Sequence, residues 1–343
     1  MISLFQNNRN WKTIREQVWH LVEQDHAQGM AQNSELVKKL EQRLAQQFGR
    51  KHCVTTASCT DALFLAVKSL NLPPQSRVAV SSYTFTATAH AVARAGHCVV
   101  PVDVGNDYCI NVGKIANCDA VVAVDIFGNM SQWTALNQLG IPVISDAAQS
   151  LESHDGTCWS AKNGTIGCVS FAPSKPISSW GSGGAVLTDN AAVADSCRLL
   201  RLHGKTRNSD HAIDPGLNSM ISSFEAACIW AGLDHSAAWQ SRRNKIAQYL
   251  IGQSKYQSGM QQHLQQHTYS KLVFQSDIRD HTLDELRNAG IECTVHYQLP
   301  VHHESLYPGV AINSDRLSKI SFSVPNQHTL DDAEVEHIGK ILQ

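Results

Sequence analysis

Apolar positions along the chain fall into two rhythms. From Glu35 to Gly49 they recur at 36, 37, 40, 44 and 48, the spacing of one helical face, and a glycine closes the run. From Cys53 onward, short apolar runs alternate with helical patterns. Cys53–Ala57, Arg77–Val80, His97–Val104, Ala120–Asp125 and Pro142–Asp146 read as strands, with helices at Thr60–Leu70 and Thr86–Ala95. This alternation predicts an α/β fold with a mostly parallel central sheet flanked by helices, whose ligands gather at the carboxyl ends of the strands. A second regime starts near residue 236, with a helical stretch around Ala237–Gly252. Lys271–Phe274 and Cys293–Tyr297 then look like strands, and Asp284–Asn288 and Asp331–Leu342 like helices. The expectation is a large domain over 1–235, opening with helices, and a smaller C-terminal α+β domain over 236–343.

The length of 343 residues suits that division. Apolar residues at 43% and charged residues at 17% describe an ordinary globular chain. A net charge of -2 and a pI near 6.8 offer no basic surface for nucleic acid. A phosphate-bearing partner is therefore expected to be a small molecule in a local pocket. The N-terminus lacks the basic start and apolar core of a signal peptide, and no apolar run approaches the roughly twenty residues that span a bilayer. The ten cysteines form neither a CxxC pair nor a repeated spacing, so buried free thiols are expected rather than a disulfide framework. Together these features predict a cytoplasmic protein with no membrane partner.

Chemistry concentrates in a few segments. Asp146 ends an apolar run, and Lys175 lies in a small, polar, glycine-rich stretch, Ser170–Gly184, that carries no other charge. Pyridoxal phosphate chemistry needs this pair: an amine to bond the cofactor aldehyde, and a carboxylate to keep the pyridine nitrogen protonated. Taken singly, Asp146 also suits a cap and Lys175 a solvated surface position. Ala57–Leu63 joins a strand to a helix through Ser58, Cys59 and Thr60, which reads either as a phosphate seat or as an ordinary N-cap. Phe85, after the next strand, is a candidate for stacking on a planar cofactor or a core aromatic. His296, His302 and His303 sit at a strand-to-loop junction. A metal there would need a cysteine or carboxylate partner at useful spacing, and the local sequence has none, so no metal is expected. Substrate contact and a structural role both remain open for these histidines.

Taken in order, these segments resemble the DegT/DnrJ/StrS family of nucleotide-sugar aminotransferases, which share the type I pyridoxal phosphate fold of aspartate aminotransferase. The resemblance runs from about Gly29 to Leu342. It rests on Ser58–Leu63, Tyr83–Thr88, Asp146–Ser150, Ser170–Lys175, Gly181–Gly184, Arg201–Gly204, Gly216–Asn218 and His296–His302. It implies pyridoxal 5'-phosphate as cofactor, with Lys175 as the Schiff-base lysine and proton shuttle. Asp146 would be the partner of the pyridine nitrogen, and Gln149 would contact the ring hydroxyl. Phe85 would stack on the ring face. Ser58, Cys59 and Ser170 would surround the phosphate, with Thr60 beside them. Asn218 would reach the phosphate of the neighbouring subunit, which implies a homodimer with shared active sites. His296 and His302 are candidates for substrate contacts at the mouth of the site.

Three positions depart from the family pattern. Cys59 stands where the phosphate cup usually has glycine, Met220 where arginine is common, and Glu152 where glycine is frequent. The implied reaction is ping-pong transfer of an amino group, most often from L-glutamate, to a keto group of a nucleotide-linked sugar, for aminosugar, surface-polysaccharide or natural-product synthesis. Lysine at 175 argues against the sugar 3-dehydratases of the family, which carry histidine there. A non-catalytic regulatory or scaffold protein on the same fold is the alternative reading.

Overall fold

The alternating runs assemble into one seven-stranded sheet. The computed structural model describes residues 1–5, 7–26, 34–205 and 211–343; Gly29, where the resemblance begins, lies outside them. The strands are β1 (His52–Thr56), β2 (Arg77–Ser81), β3 (Cys98–Val102), β4 (Ala120–Val124), β5 (Val143–Asp146), β6 (Ile166–Ser170) and β7 (Gly184–Thr188). Their order is β1-β7-β6-β5-β4-β2-β3. All neighbours pair in parallel except β7, which runs antiparallel to β1 and β6. The carboxyl ends of β1, β2, β4, β5 and β6 therefore meet at one edge, joined there by the start of β7.

Helices cover both faces, which explains why β4, β5 and β6 are buried along their whole length. The helices of this part are α1 (Asn7–His26), α2 (Glu35–Gln47), α3 (Cys59–Ser69), α4 (Ala87–Arg94), α5 (Trp133–Asn137), α6 (Ala191–Leu200) and α7 (Ser223–Gln253). Alternate strand residues feed opposite layers. Val54, Val186 and Cys168 pack with α3 and α6, while Cys53, Leu187 and Val169 pack with α2 and α7. Helix α2 matches its sequence pattern: Ser34 caps its start, and Gly49 follows its end at φ +67°, a left-handed conformation that favours glycine.

The C-terminal part adds a small antiparallel sheet, β8 (Gln257–Ser258), β9 (Leu272–Gln275) and β10 (Ser321–Val324), in the order β10-β9-β8. Around it lie α8 (Arg279–Asn288), α9 (Ile312–Ile320) and α10 (Asp332–Leu342). The boundary expected at residue 236 falls inside α7, which runs unbroken for 31 residues. Its first half packs on the large sheet through Ala226–Leu233, its second half on the small sheet through Ile246, Ala247 and Leu250. The strand expected at Cys293–Tyr297 does not form. Thr294 makes one bridge to Ser323, after which the Tyr83 hydroxyl donates to the carbonyl of His296 and accepts from the N–H of Tyr297, diverting the backbone from the ladder. All ten cysteines are free thiols. No helix of the described residues is long and apolar enough to cross a membrane.

Candidate active site

The strand ends enclose a cavity of about 360 Å³. Asp146, the last residue of β5, and Lys175, in the loop between β6 and β7, both line it, with Ser58, Cys59, Thr60, Phe85, Gln149, Ser170 and His296. Residues spread over 239 positions of sequence are thus gathered by topology, because parallel strands deliver their carboxyl ends to one edge.

Asp146 is 3% exposed. Its carboxylate accepts from the Thr88 hydroxyl at 2.8 Å and the Ala148 N–H at 3.2 Å. Burial pushes its pKa up, and Thr88, Ala148 and Lys175 offset this only in part. Burial likewise pulls the Lys175 amine down, against the opposing influence of Cys59 and Asp146. An amine eased toward its neutral form beside a carboxylate with spare acceptor capacity suits nucleophilic capture of a carbonyl and proton transfer.

The part of the cavity expected to seat a phosphate is built on α3. Ser58 is the N-cap and accepts from the Asp61 N–H at 3.1 Å, so the capping reading is correct locally. The cap leaves the first N–H groups of the helix, those of Cys59 and Thr60, without an acceptor in the described chain, beside the hydroxyls of Ser58, Thr60 and Ser170. Cys59 is a buried neutral thiol whose pKa burial pushes well up. Gly184 lets β7 start against this turn, since a Cβ there would lie 2.5 Å from the Cys59 nitrogen.

Phe85 lines the cavity, is 56% exposed, and its ring lies 6.0 Å from that of Tyr297. The Gln149 side-chain oxygen accepts from the Phe127 N–H at 3.1 Å, and its amide nitrogen donates to the Tyr297 hydroxyl at 3.0 Å, leaving one amide hydrogen for the cavity. The His296 imidazole is within 2.9 Å of the Ser323 hydroxyl, and burial, helped by Lys271 and Lys175, lowers its pKa to about 3.

Two expected site residues do not line this cavity: His302, and Asn218, which was expected to serve the neighbouring subunit. His302 does not line the cavity: its Nδ1 meets the Ser82 hydroxyl at 2.5 Å and its Nε2 meets Asp315 at 3.0 Å, so both nitrogens are occupied in tying the loop to β2 and α9. A carboxylate partner for the histidines, missing from the local sequence, is thus supplied by α9, and His303 reaches the same oxygen. Asn218 is exposed and does not line this cavity. The neighbouring Ser219 stitches its segment to the α3 turn, accepting from the Ala57 N–H at 3.0 Å and donating to Asp61 at 2.8 Å.

A sequence profile of the DegT/DnrJ/EryC1/StrS aminotransferase family matches residues 12–343. The chain belongs to that family. Among its relatives is the UDP-2-acetamido-2-deoxy-3-oxo-D-glucuronate aminotransferase of Pseudomonas aeruginosa, 29% identical over 321 residues that cover 88% of each chain. Another is a pleiotropic regulatory protein of Geobacillus stearothermophilus, 26% identical over 88% of this chain and 87% of its own. A crystal structure of a DegT/DnrJ/EryC1/StrS aminotransferase from Brucella abortus superposes with a TM-score of 0.93 at 26% identity, covering 100% of this chain and 98% of the other.

Within this family frame, the departure at Glu152 has a local explanation. Its carboxylate pairs with Arg243 at 2.5 Å, both side chains buried, and Arg243 also donates to Gln240 and to the carbonyl of Thr268. Met220 has no such compensation among the described residues. Sequence reasoning gave no role to Thr88, Tyr297 or Lys271, all of which line the cavity. The first two lay inside quoted motifs, so a signal was present. Lys271 was read only as the start of a strand.

Proposed function

We propose that the chain transfers an amino group from an amino acid to a keto group of a nucleotide-linked sugar, with pyridoxal 5'-phosphate as its cofactor. The observation that carries this reading is the meeting of Lys175 and Asp146 in one cavity that is also lined by the N-terminal turn of α3 and three hydroxyls. That donor set fits the cofactor: an anion seat at α3, a carboxylate for a protonated ring nitrogen, an amine for the aldehyde and Phe85 for a ring face. When bound, the cofactor supplies an aldehyde for capture of amines and a sink for the electrons released when a Cα proton leaves.

The residues of the chain do the rest. Lys175 would hold the cofactor through its aldehyde and, once released as a neutral amine, would take and return the proton at the substrate carbon. Asp146, held in place by Thr88 and Ala148, keeps the ring nitrogen protonated. Ser58, Thr60 and Ser170 would hold the phosphate, with the neutral Cys59 thiol beside them. Gln149 would offer its remaining amide hydrogen to the ring hydroxyl, and His296 would contact the entering substrate. The donor is L-glutamate, and the two half-reactions follow a ping-pong order. The Pseudomonas relative named for a UDP-linked keto sugar supports the acceptor class. The exposed Asn218, rooted beside the α3 turn, is the point from which a second copy would complete the neighbouring phosphate seat, so the working unit is a homodimer. Ten unpaired thiols suit the reducing cytoplasm.

The test is the visible spectrum of purified protein with pyridoxal phosphate, before and after L-glutamate, beside Lys175→Ala. A yellow adduct that bleaches with glutamate in the wild type, and is not turned over by the variant, is expected. If no adduct forms with excess cofactor, Lys175 is not the anchor, and the regulatory reading suggested by the Geobacillus relative takes over.

A further inference from the structure

The cavity contains a second lysine for which amino transfer, as derived above, has no use. Lys271 directly precedes β9, is 7% exposed and lines the cavity. Its Nζ donates to the carbonyl of Ser174 at 3.3 Å and lies 4.3 Å from the centre of the Phe5 ring. Ser174 is the residue before Lys175, so the two amines occupy the same end of the cavity. Asp146 is the one acidic side chain lining the cavity among the described residues, and its bonds go to Thr88 and Ala148. Lys271 forms no ion pair there.

The electrostatics of that end are unbalanced. Burial, reinforced by the Lys175 amine, brings Lys271 down to about 7. His296, facing both lysines, is lowered as well. An amine buried beside another basic group, with no counter-ion of its own, is unfavourable for folding, and such arrangements occur where a ligand supplies the missing charge. We propose that Lys271 receives a carboxylate of the substrate at the Lys175 end of the cavity. The proposal rests on the aminotransferase reading of the site.

The chemistry of the substrates points to the amino donor as the source of that carboxylate. An amino acid carries its carboxylate on the carbon that bears the amine, one bond from the atom whose proton Lys175 moves. The diphosphate of a nucleotide sugar is attached across the sugar ring from a reacting keto carbon, too far along the ligand to meet a group beside Lys175. A lysine also acts as a point charge on a flexible stem, where an arginine fork would fix one angle. One such cation serves both the amino acid entering and the keto acid leaving. A uronic acid acceptor offers the same chemistry from the sugar side.

The test compares holoenzyme of the wild type, Lys271→Gln and Lys271→Arg. Calorimetric titration with glutarate, an unreactive dicarboxylate, should show binding weakened about tenfold or more in Lys271→Gln and largely restored in Lys271→Arg. In single turnovers with L-glutamate, the half-saturating concentration of Lys271→Gln should rise by a similar factor, more than the limiting rate falls. If glutamate saturation is unchanged but saturation by a nucleotide-linked uronate is weakened relative to a neutral sugar, the carboxylate role holds and its source is the acceptor. Equal binding of glutarate, glutamate and uronate by Lys271→Gln and the wild type overturns the proposal. A wild type that reacts with no amino acid, yet loses glutarate binding on Lys271→Gln, sinks the aminotransferase reading while the carboxylate site stands.

Discussion

Asp103 and Asp146 are two aspartates at the carboxyl ends of strands in the same sheet, each 3% exposed, and they are treated in opposite ways. Asp103, just past β3, accepts from the N–H groups of Val104, Asn313 and Ser314, the Ser314 hydroxyl and the Lys114 ammonium, all within 3.1 Å. Burial alone would raise its pKa, but Lys114 and the α9 donors overcome it and hold the carboxyl well below its usual range. Asp146 has two donors, and burial prevails. Asp103 spends its acceptor capacity joining the start of α9 to the large sheet; Asp146 keeps capacity in reserve. Asp125, after β4, shows that a raised pKa is not enough to mark a site: it is pushed up to about 7 by burial, yet its donors Ser131, Trp133 and Ser160 enclose it away from the cavity. Of the three, Asp146 alone combines burial with unused acceptor positions and an opening to the cavity, which is what the proposed role requires.

Substitutions of these two residues should give opposite phenotypes. Asp146→Asn should slow the half-reaction with L-glutamate by roughly 10²–10³-fold, read by stopped-flow absorbance. The same change should not lower the urea stability of the cofactor-free protein at pH 7. Its raised pKa means that carrying charge at neutral pH opposes folding, and asparagine removes that cost. A variant as fast as the wild type would return Asp146 to the structural class with Asp103.

Asp103→Asn should lose about 2 kcal/mol of stability at pH 7 while its rate per folded molecule stays unchanged. Because folding lowers this pKa, the stabilisation is complete above the unfolded value of 3.8 and is lost as the pH falls below it. Urea melts of wild type and variant should therefore differ at pH 7 and converge in acid. A constant gap across that range would mean that packing, not charge, is what Asp103 contributes. The smallest effect belongs to Thr88→Val, which removes one hydrogen bond to the Asp146 carboxylate. A loss of about 1.5 kcal/mol corresponds to roughly a tenfold slower half-reaction with little change in stability. Loss of folding instead would show Thr88 to be a core residue first.

Much of this was legible in the chain. The runs ending at Asp146 and Val80 are apolar throughout because helices cover both faces of the sheet, so their strand character shows without tertiary knowledge. Lys175 stands out because its segment carries no other charge. Helix α7 was underestimated: its first half, Ser223–His235, is so rich in small and apolar residues that no polar face marks its start. The strand expected at Cys293–Tyr297 failed because a single hydroxyl, that of Tyr83, takes the two backbone groups a ladder would need.

The sequence by itself determined the fold class and the family and nominated Lys175 and Asp146 as the reacting pair, since hydrophobic periodicity and short motifs are local properties of a chain. Only the tertiary structure decided which polar residues share a space. It moved His302 out of the cavity and onto Asp315, paired Glu152 with Arg243 across 91 positions, and brought Lys271 beside the residue preceding Lys175 across 97. Burial, and the electrostatics that follow from it, depend on what the fold packs around a side chain, and no spacing along the chain encodes that.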